Sequence, residues 1–182
     1  ESDPPNPLNA YGRSKLIAEQ AVSAGGGRAL VVRTAAFFAP DDDYNFAAWV
    51  RRELAARRPV HAADDCVVSP TYVPHLVHAL LDLVVDDETG VWHLSSQTPL
   101  SWAAFARAVA GHLDLDASLV VPTSARRMGW KALRPAYAAL GSERGRLLPD
   151  LDAALHAYAA ALAHEAPREG EDVCIPALGD ER

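Results

Sequence analysis

The chain has 182 residues, 49% of them apolar and 23% charged, with 13 prolines and 11 glycines, a globular composition that excludes disorder and collagen. Seventeen basic residues against twenty-four acidic ones give a net charge of −7, and the basic residues are scattered, so the electrostatic footprint of a nucleic-acid binder is missing. No apolar run approaches the ~20 residues needed to cross a bilayer, and Glu1-Ser2-Asp3-Pro4-Pro5 lacks the basic and apolar regions of a signal peptide, so the cytoplasm is the expected compartment.

The opening through Asn9 is rich in Pro, Asn and Asp and offers side-chain oxygens for a helix start. Leu8, Tyr11, Leu16, Ala18 and Val22 then recur near a helical period, which predicts a helix from about Leu8 to Ser23, stopped by Gly25-Gly26-Gly27. Arg28 to Thr34 is a short apolar, β-branched run, as for a strand buried on both faces of a parallel sheet. A loop with Asp41-Asp42-Asp43 leads to a helix over about Asn45 to Arg57, with Phe46, Trp49, Val50 and Leu54 inward and Arg51, Arg52 and Glu53 facing water.

Val60 to Val68 reads as short strands around a polar turn, and Ser69-Pro70-Thr71-Tyr72 leads into a helix over Val73 to Val85. Gly90 to Leu94 is a further strand, and Ser101 has the chemistry of an N-cap for a helix from Trp102 to about Leu113. Periodicity fails after Leu119-Val120-Val121, leaving a loop-rich stretch from Pro122 to Pro149, after which Asp150 caps a helix over Leu151 to Leu162. The alternation of helix and strand places the chain in the α/β class. Cys66 and Cys174 form no Cys-x-x-Cys pair and are expected to be ordinary thiols, and the four tryptophans are expected in the core.

Chemistry concentrates on the first helix. Fifteen of the seventeen basic residues are arginines, so a position that stays lysine points to a need for a compact ammonium, and Lys15 is one of two. Tyr11 stands four residues before it, so both side chains project from one helix face. An ammonium beside a phenol favours the phenolate, giving a group able to exchange a proton with a carbonyl oxygen. Tyr-x-x-x-Lys alone is a weak signal, and its bland reading is a surface pair on a solvated helix.

Context strengthens it. Asn6-Pro7-Leu8-Asn9-Ala10-Tyr11-Gly12-Arg13-Ser14-Lys15-Leu16-Ile17-Ala18-Glu19 resembles the catalytic helix of extended short-chain dehydrogenases/reductases. Within that superfamily the chain is most similar to the dTDP-4-dehydrorhamnose reductases. Val31-Val32-Arg33-Thr34, Asn45-Phe46, Ser69-Pro70-Thr71-Tyr72-Val73, Gly90-Val91-Trp92-His93-Leu94-Ser95 and Arg134-Pro135-Ala136-Tyr137-Ala138-Ala139-Leu140 carry the likeness from about residue 1 to residue 162.

The resemblance implies the C-terminal part of a Rossmann-type fold over residues 1–163, with the catalytic helix, the last sheet strands and a small substrate-binding lobe, while the segment 164–182 is too acidic and proline-broken to pack and is expected to be a mobile tail. It implies reduction of a nucleoside-diphosphate 4-keto-6-deoxy sugar with NADPH or NADH. Tyr11 would protonate the C4 carbonyl oxygen, and Lys15 would bind the nicotinamide ribose and assist the phenol. Thr34 would contact the nicotinamide end, and Asn45, Pro70, Thr71 and Arg134 would border the sugar-nucleotide pocket. An epimerase or dehydratase of the same superfamily, or a non-catalytic sugar-nucleotide-binding module, are the alternatives.

Several features depart from the family pattern. Ala36 stands where a tryptophan is frequent, and Ala138 where a serine is frequent, which leaves the sugar open. The glycine-rich turn, the acidic residue after the second strand and the Ser/Thr of the catalytic set would all precede residue 1. Gly25-Gly26-Gly27 cannot replace that turn, because it runs from helix to strand. A companion is therefore expected, either an N-terminal Rossmann half or another subunit, and the 182 residues alone are expected to be catalytically silent. Arg126, Arg127, Arg134, Arg144 and Arg146 could clamp a diphosphate or serve as solvated loop charges. No metal site is expected: His75 and His78 have i,i+3 spacing but no carboxylate completes them.

Overall fold

Asn9 starts the first helix, its Oδ1 accepting the N–H of Gly12 at 2.8 Å, and α1 runs over Ala10–Ala24. A Cβ on Gly12 would stand 3.0 Å from the Pro7 Cβ, so the close approach of the entering chain calls for glycine there. The computed structural model describes residues 1–164. Gly25 ends α1, and Gly26, at φ +69°, turns the chain toward β1 (Leu30–Arg33).

Ala36 takes φ +49°, a left-handed conformation costing a residue with a Cβ roughly 1–2 kcal/mol. This kink separates β1 from β2 (Phe37–Phe38), leaving Phe37 half exposed and sending Phe38 fully inside. Asn45 caps α2 (Phe46–Ala55) through the Ala48 N–H, and β3 (Val60–Ala63), β4 (Val67–Val68) and β5 (Thr71–Tyr72) follow. Helix α3 (Val73–Val85) carries Pro74 in its first turn, where a missing N–H costs nothing. Beyond it lie β6 (Gly90–His93), β7 (Leu100–Ser101), α4 (Trp102–His112), β8 (Val120–Thr123) and α5 (Leu151–His164).

Among the described residues three of the four strand pairs are parallel: β1 with β6, from Leu30↔Gly90 to Arg33↔His93, β2 with β5, and β3 with β8. The fourth, β4 with β7, is antiparallel. The main core lies between α2, α4, α5 and these short strands. Phe38 is its hub, with ring centroids of Tyr72, Phe105 and Tyr158 at 5.3, 5.4 and 5.6 Å. Ser101 and Asp150 both act as helix starts, accepting the N–H groups of Ala104 and Ala153. Among the described residues no helix is long and apolar enough to cross a membrane.

Four expectations are corrected. Strand β1 is half-buried along its length rather than enclosed, because among the described residues only β6 pairs with it and α1 buries no residue against it. Arg51 does not simply face water: its Nε is shielded from solvent, and its guanidinium lies 3.8 Å from the Asp43 carboxylate. The stretch from Pro122 opens as strand through Thr123, paired in parallel with Ala63, and Tyr137 later bridges to Val67. Trp130 is exposed rather than in the core. Helix α5 runs on to His164, and the rest of the expected mobile tail, with Cys174, lies outside the described residues.

Candidate functional site

The first turn of α1 presents Tyr11, 71% exposed, and one turn later Lys15 brings its Nζ to 5.5 Å from the centroid of the Tyr11 ring. Both border an open concavity of about 550 Å³ whose floor is β1 from Leu30 to Arg33 and whose far rim is Thr34 and Phe37. The helix supplies the pair because residues four apart share a face, and the Asn9 cap fixes where that face begins. Phe37 reaches this rim because of the turn at Ala36.

One turn beyond Lys15, Glu19 ties the helix to the strand. Arg33 donates from Nε to Glu19 Oε2 at 2.9 Å and from Nη2 to Oε1 at 2.6 Å, a bidentate pair with both side chains about four-fifths shielded. The Arg33 hydrogen bonds hold the Glu19 carboxyl below the usual carboxylate range, and the same bonds raise the guanidinium. Arg33 Nη1 lies 3.3 Å from His93 Nε2, while His93 Nδ1 lies 2.7 Å from the Gly141 carbonyl. A carbonyl can only accept, so Nδ1 carries the proton and Nε2 receives from Arg33. Glu1 completes the layer: burial pushes its carboxyl up, but bonds from the Glu143 and His93 N–H groups and the Ser142 hydroxyl outweigh this and bring it to about 2.

Thr34 is the only one of the expected second group on this rim. Its Oγ1 lies 3.2 Å from the Thr71 Oγ1, which links the concavity to a buried segment. Pro70 and Thr71 are fully buried, and Thr71 also donates to the Ser69 carbonyl. Asn45 is buried, both hydrogens of its amide taken by the Ala39 and Asp42 carbonyls and its oxygen by the Ala48 N–H. These three support the surface from behind instead of lining the Tyr11 concavity.

Arg134 lies elsewhere, its guanidinium 5.6 Å from the centroid of the exposed Trp130 ring. With Phe46, Trp49, Trp102 and Met128 it lines a second concavity of about 430 Å³. The other arginines do not converge there. Arg144 pairs with Glu88, donates to the Thr89 carbonyl and covers the Trp92 ring at 4.0 Å, while Arg146 bonds the Ser96 carbonyl. A five-arginine diphosphate clamp is therefore not formed. Sequence reasoning missed Glu19, Arg33 and Phe37, although the i,i+4 step from Lys15 to Glu19 was a usable signal.

The group set around Tyr11 fits one end of a nicotinamide cofactor: an ammonium, a phenol and a threonine hydroxyl beside an apolar floor. Among the described residues, Gly25-Gly26-Gly27 does not fit its phosphates, since those amides open no helix.

A family profile described as the RmlD substrate binding domain matches residues 1–165. The dTDP-4-dehydrorhamnose reductase of Mycolicibacterium smegmatis is 38% identical over 143 residues, 78% of this chain and 44% of that protein. The enzyme of the same name from Mycobacterium tuberculosis is 36% identical over 182 residues, 98% of this chain and 60% of that protein. The crystal structure of dTDP-4-dehydrorhamnose reductase from Bacillus anthracis in complex with NADP superposes with a TM-score of 0.82 at 27% identity, covering 88% of this chain and 58% of that one. The chain thus spans roughly half of these relatives' length, and its mixed α/β fold with parallel strands matches part of theirs.

Proposed function

The chain belongs to the RmlD substrate binding domain family, and from that premise we propose that it supplies the proton-donating and substrate-holding part of an NAD(P)H-dependent reductase acting on a nucleoside-diphosphate 4-keto-6-deoxy sugar. The observation that carries this reading is the Lys15 ammonium 5.5 Å from the Tyr11 ring centroid on the rim of an open concavity. Reducing the ketone to an alcohol needs a hydride on carbon and a proton on oxygen. NADPH or NADH, when bound, supplies the hydride.

Tyr11 donates its phenolic proton to the C4 oxygen as negative charge gathers there, and Lys15 stabilises the phenolate left behind. Lys15 would also hold the ribose hydroxyls of the cofactor, and Thr34 would contact its nicotinamide end. The Glu19–Arg33 pair keeps α1, and with it the phenol, at a fixed height over β1. Arg134 offers a planar fork to the diphosphate, and the aromatic walls beside it suit a flat base. Asn45, Pro70 and Thr71 shape the sugar-nucleotide pocket from beneath, Thr71 through its contact with Thr34.

The test joins this segment to a cofactor-binding half in one polypeptide and follows NADPH. One equivalent oxidised per keto sugar reduced is expected. Conversion of the sugar without net NADPH oxidation overturns the reductase reading in favour of an epimerase or dehydratase. Sugar-nucleotide binding without conversion favours the non-catalytic module.

A further inference from the structure

Spacing along the chain directs attention to His75 and His78, yet the fold gathers a different set. His112 in the last turn of α4 and Asp152 with His156 in the first turns of α5 bring one ligand atom each to within 4.8 Å of one another. None of them belongs to either concavity already described.

Both imidazoles lean on their own helix through Nδ1, but only His112 turns its Nε2 toward Asp152. His112 Nδ1 lies 2.9 Å from the Ala108 carbonyl and His156 Nδ1 lies 3.0 Å from the Asp152 carbonyl, each four residues back on its own helix. A carbonyl only accepts, so in the neutral rings the proton sits on Nδ1 and the lone pair on Nε2. In His112 the backbone partner sits on the far nitrogen, the arrangement that fixes metal-binding histidines. His112 Nε2 then stands 3.1 Å from Asp152 Oδ1, whereas in His156 it is the backbone-bonded Nδ1 that stands 3.5 Å from Oδ2, so this exposed ring turns to present its Nε2 to an ion. In that tautomer the His112 Nε2 and Asp152 Oδ1 lone pairs face each other across 3.1 Å, a contact that a bound metal ion relieves.

We propose that His112, Asp152 and His156 form a binding site for a divalent transition-metal ion of the Zn²⁺ class, which clips the end of α4 to the start of α5. Two imidazoles are borderline ligands, and with one hard carboxylate beside them they suit Zn²⁺, Ni²⁺ or Cu²⁺ better than Mg²⁺. Bonds of about 2.0–2.1 Å to one tetrahedral ion put ligand atoms roughly 3.4 Å apart. The contraction from 4.8 Å falls on Asp152 and His156, whose side chains are 75% and 73% exposed and free to rotate, while His112 stays anchored. Remaining positions on the ion open to water.

The probe is Zn²⁺ alone, titrated by calorimetry into the 182-residue chain freed of metal, with thermal unfolding read in parallel. One equivalent should bind, and a hundredfold excess over the dissociation constant should raise Tm by roughly 5–10 °C. His156→Gln, at an exposed position where folding is not at stake, should weaken binding about tenfold or more and abolish the Tm rise, and His112→Gln should do the same. Mg²⁺ should produce neither effect. No binding up to millimolar Zn²⁺, or equal binding by the wild type and His156→Gln, overturns the proposal.

Discussion

The layer that carries Tyr11 and the layer that carries Phe38 are built in opposite ways. Helix α4 buries five of its side chains, Phe105 and Val109 fully, and closes against α2 and α5. Helix α1 buries none, and it leaves Ile17 65% and Val22 51% exposed although both are apolar. What ties α1 to the rest is polar: the bidentate Glu19–Arg33 pair and the bond from the Asn9 amide to the Leu133 carbonyl, while Glu1 fastens the preceding segment to His93, Ser142 and Glu143. Stability therefore resides in the lobe, and the proposed chemistry sits on a rim held in place by a few charge-assisted bonds.

The largest test of this contrast is Phe38→Ala. Removing the aromatic hub should cost about 3–5 kcal/mol in chemical denaturation, and a cost under 1 kcal/mol would erase the difference between the layers. Glu19→Gln should be smaller, about 1–2 kcal/mol, because it leaves Arg33 with a weaker neutral acceptor at a partly shielded site. Amide exchange should speed up in α1 and stay unchanged in α4. A uniform rise across both helices would show that the pair is part of the core after all.

Acid sharpens the same contrast. Glu1, at about 2 in the folded chain against 4.5 for an ordinary glutamate, and Glu19, held below the ordinary range, bind protons more readily unfolded. Their contribution is full above the unfolded value and is lost as pH falls from about 4.5 toward 2. Opening of α1 and of the Glu1 contacts should precede collapse of the Phe38 cluster in that window, as followed by tryptophan fluorescence and exchange. The smallest effect is expected from Ile17→Ala: within about 0.5 kcal/mol for this chain, whose Ile17 is solvated. A larger loss once a cofactor-binding half is attached would mean that this apolar face becomes covered.

Much of the architecture was legible because it is local. Asn9, Ser101 and Asp150 start helices by the chemistry of their own side chains, and the apolar period of Val73 to Val85 marks α3 from end to end. Tyr11 and Lys15 share a face by helix geometry alone. What stayed hidden depends on residues far apart. The turn at Ala36 follows from packing, since alanine has no intrinsic preference for φ +49°. The solvent shielding of the Arg51 Nε and the pairing of Val67 with Tyr137 arise from tertiary contacts that no periodicity encodes. The burial of Asn45, Pro70 and Thr71 was equally hidden, since polar residues and prolines in a short segment look like surface until their partners are known. The joining of His112 to Asp152 and His156, forty residues on, needs the α4–α5 crossing itself.

The proposed reduction turns on one phenol, and steady-state kinetics of Tyr11→Phe in a polypeptide completed with its cofactor-binding half test it most directly. Loss of the proton donor should lower kcat for keto-sugar reduction by about 10²–10⁴ and leave KM within a few-fold, because the rest of the pocket is untouched. An unchanged kcat would contradict the account and leave Tyr11 as a solvent-exposed side chain on a family helix.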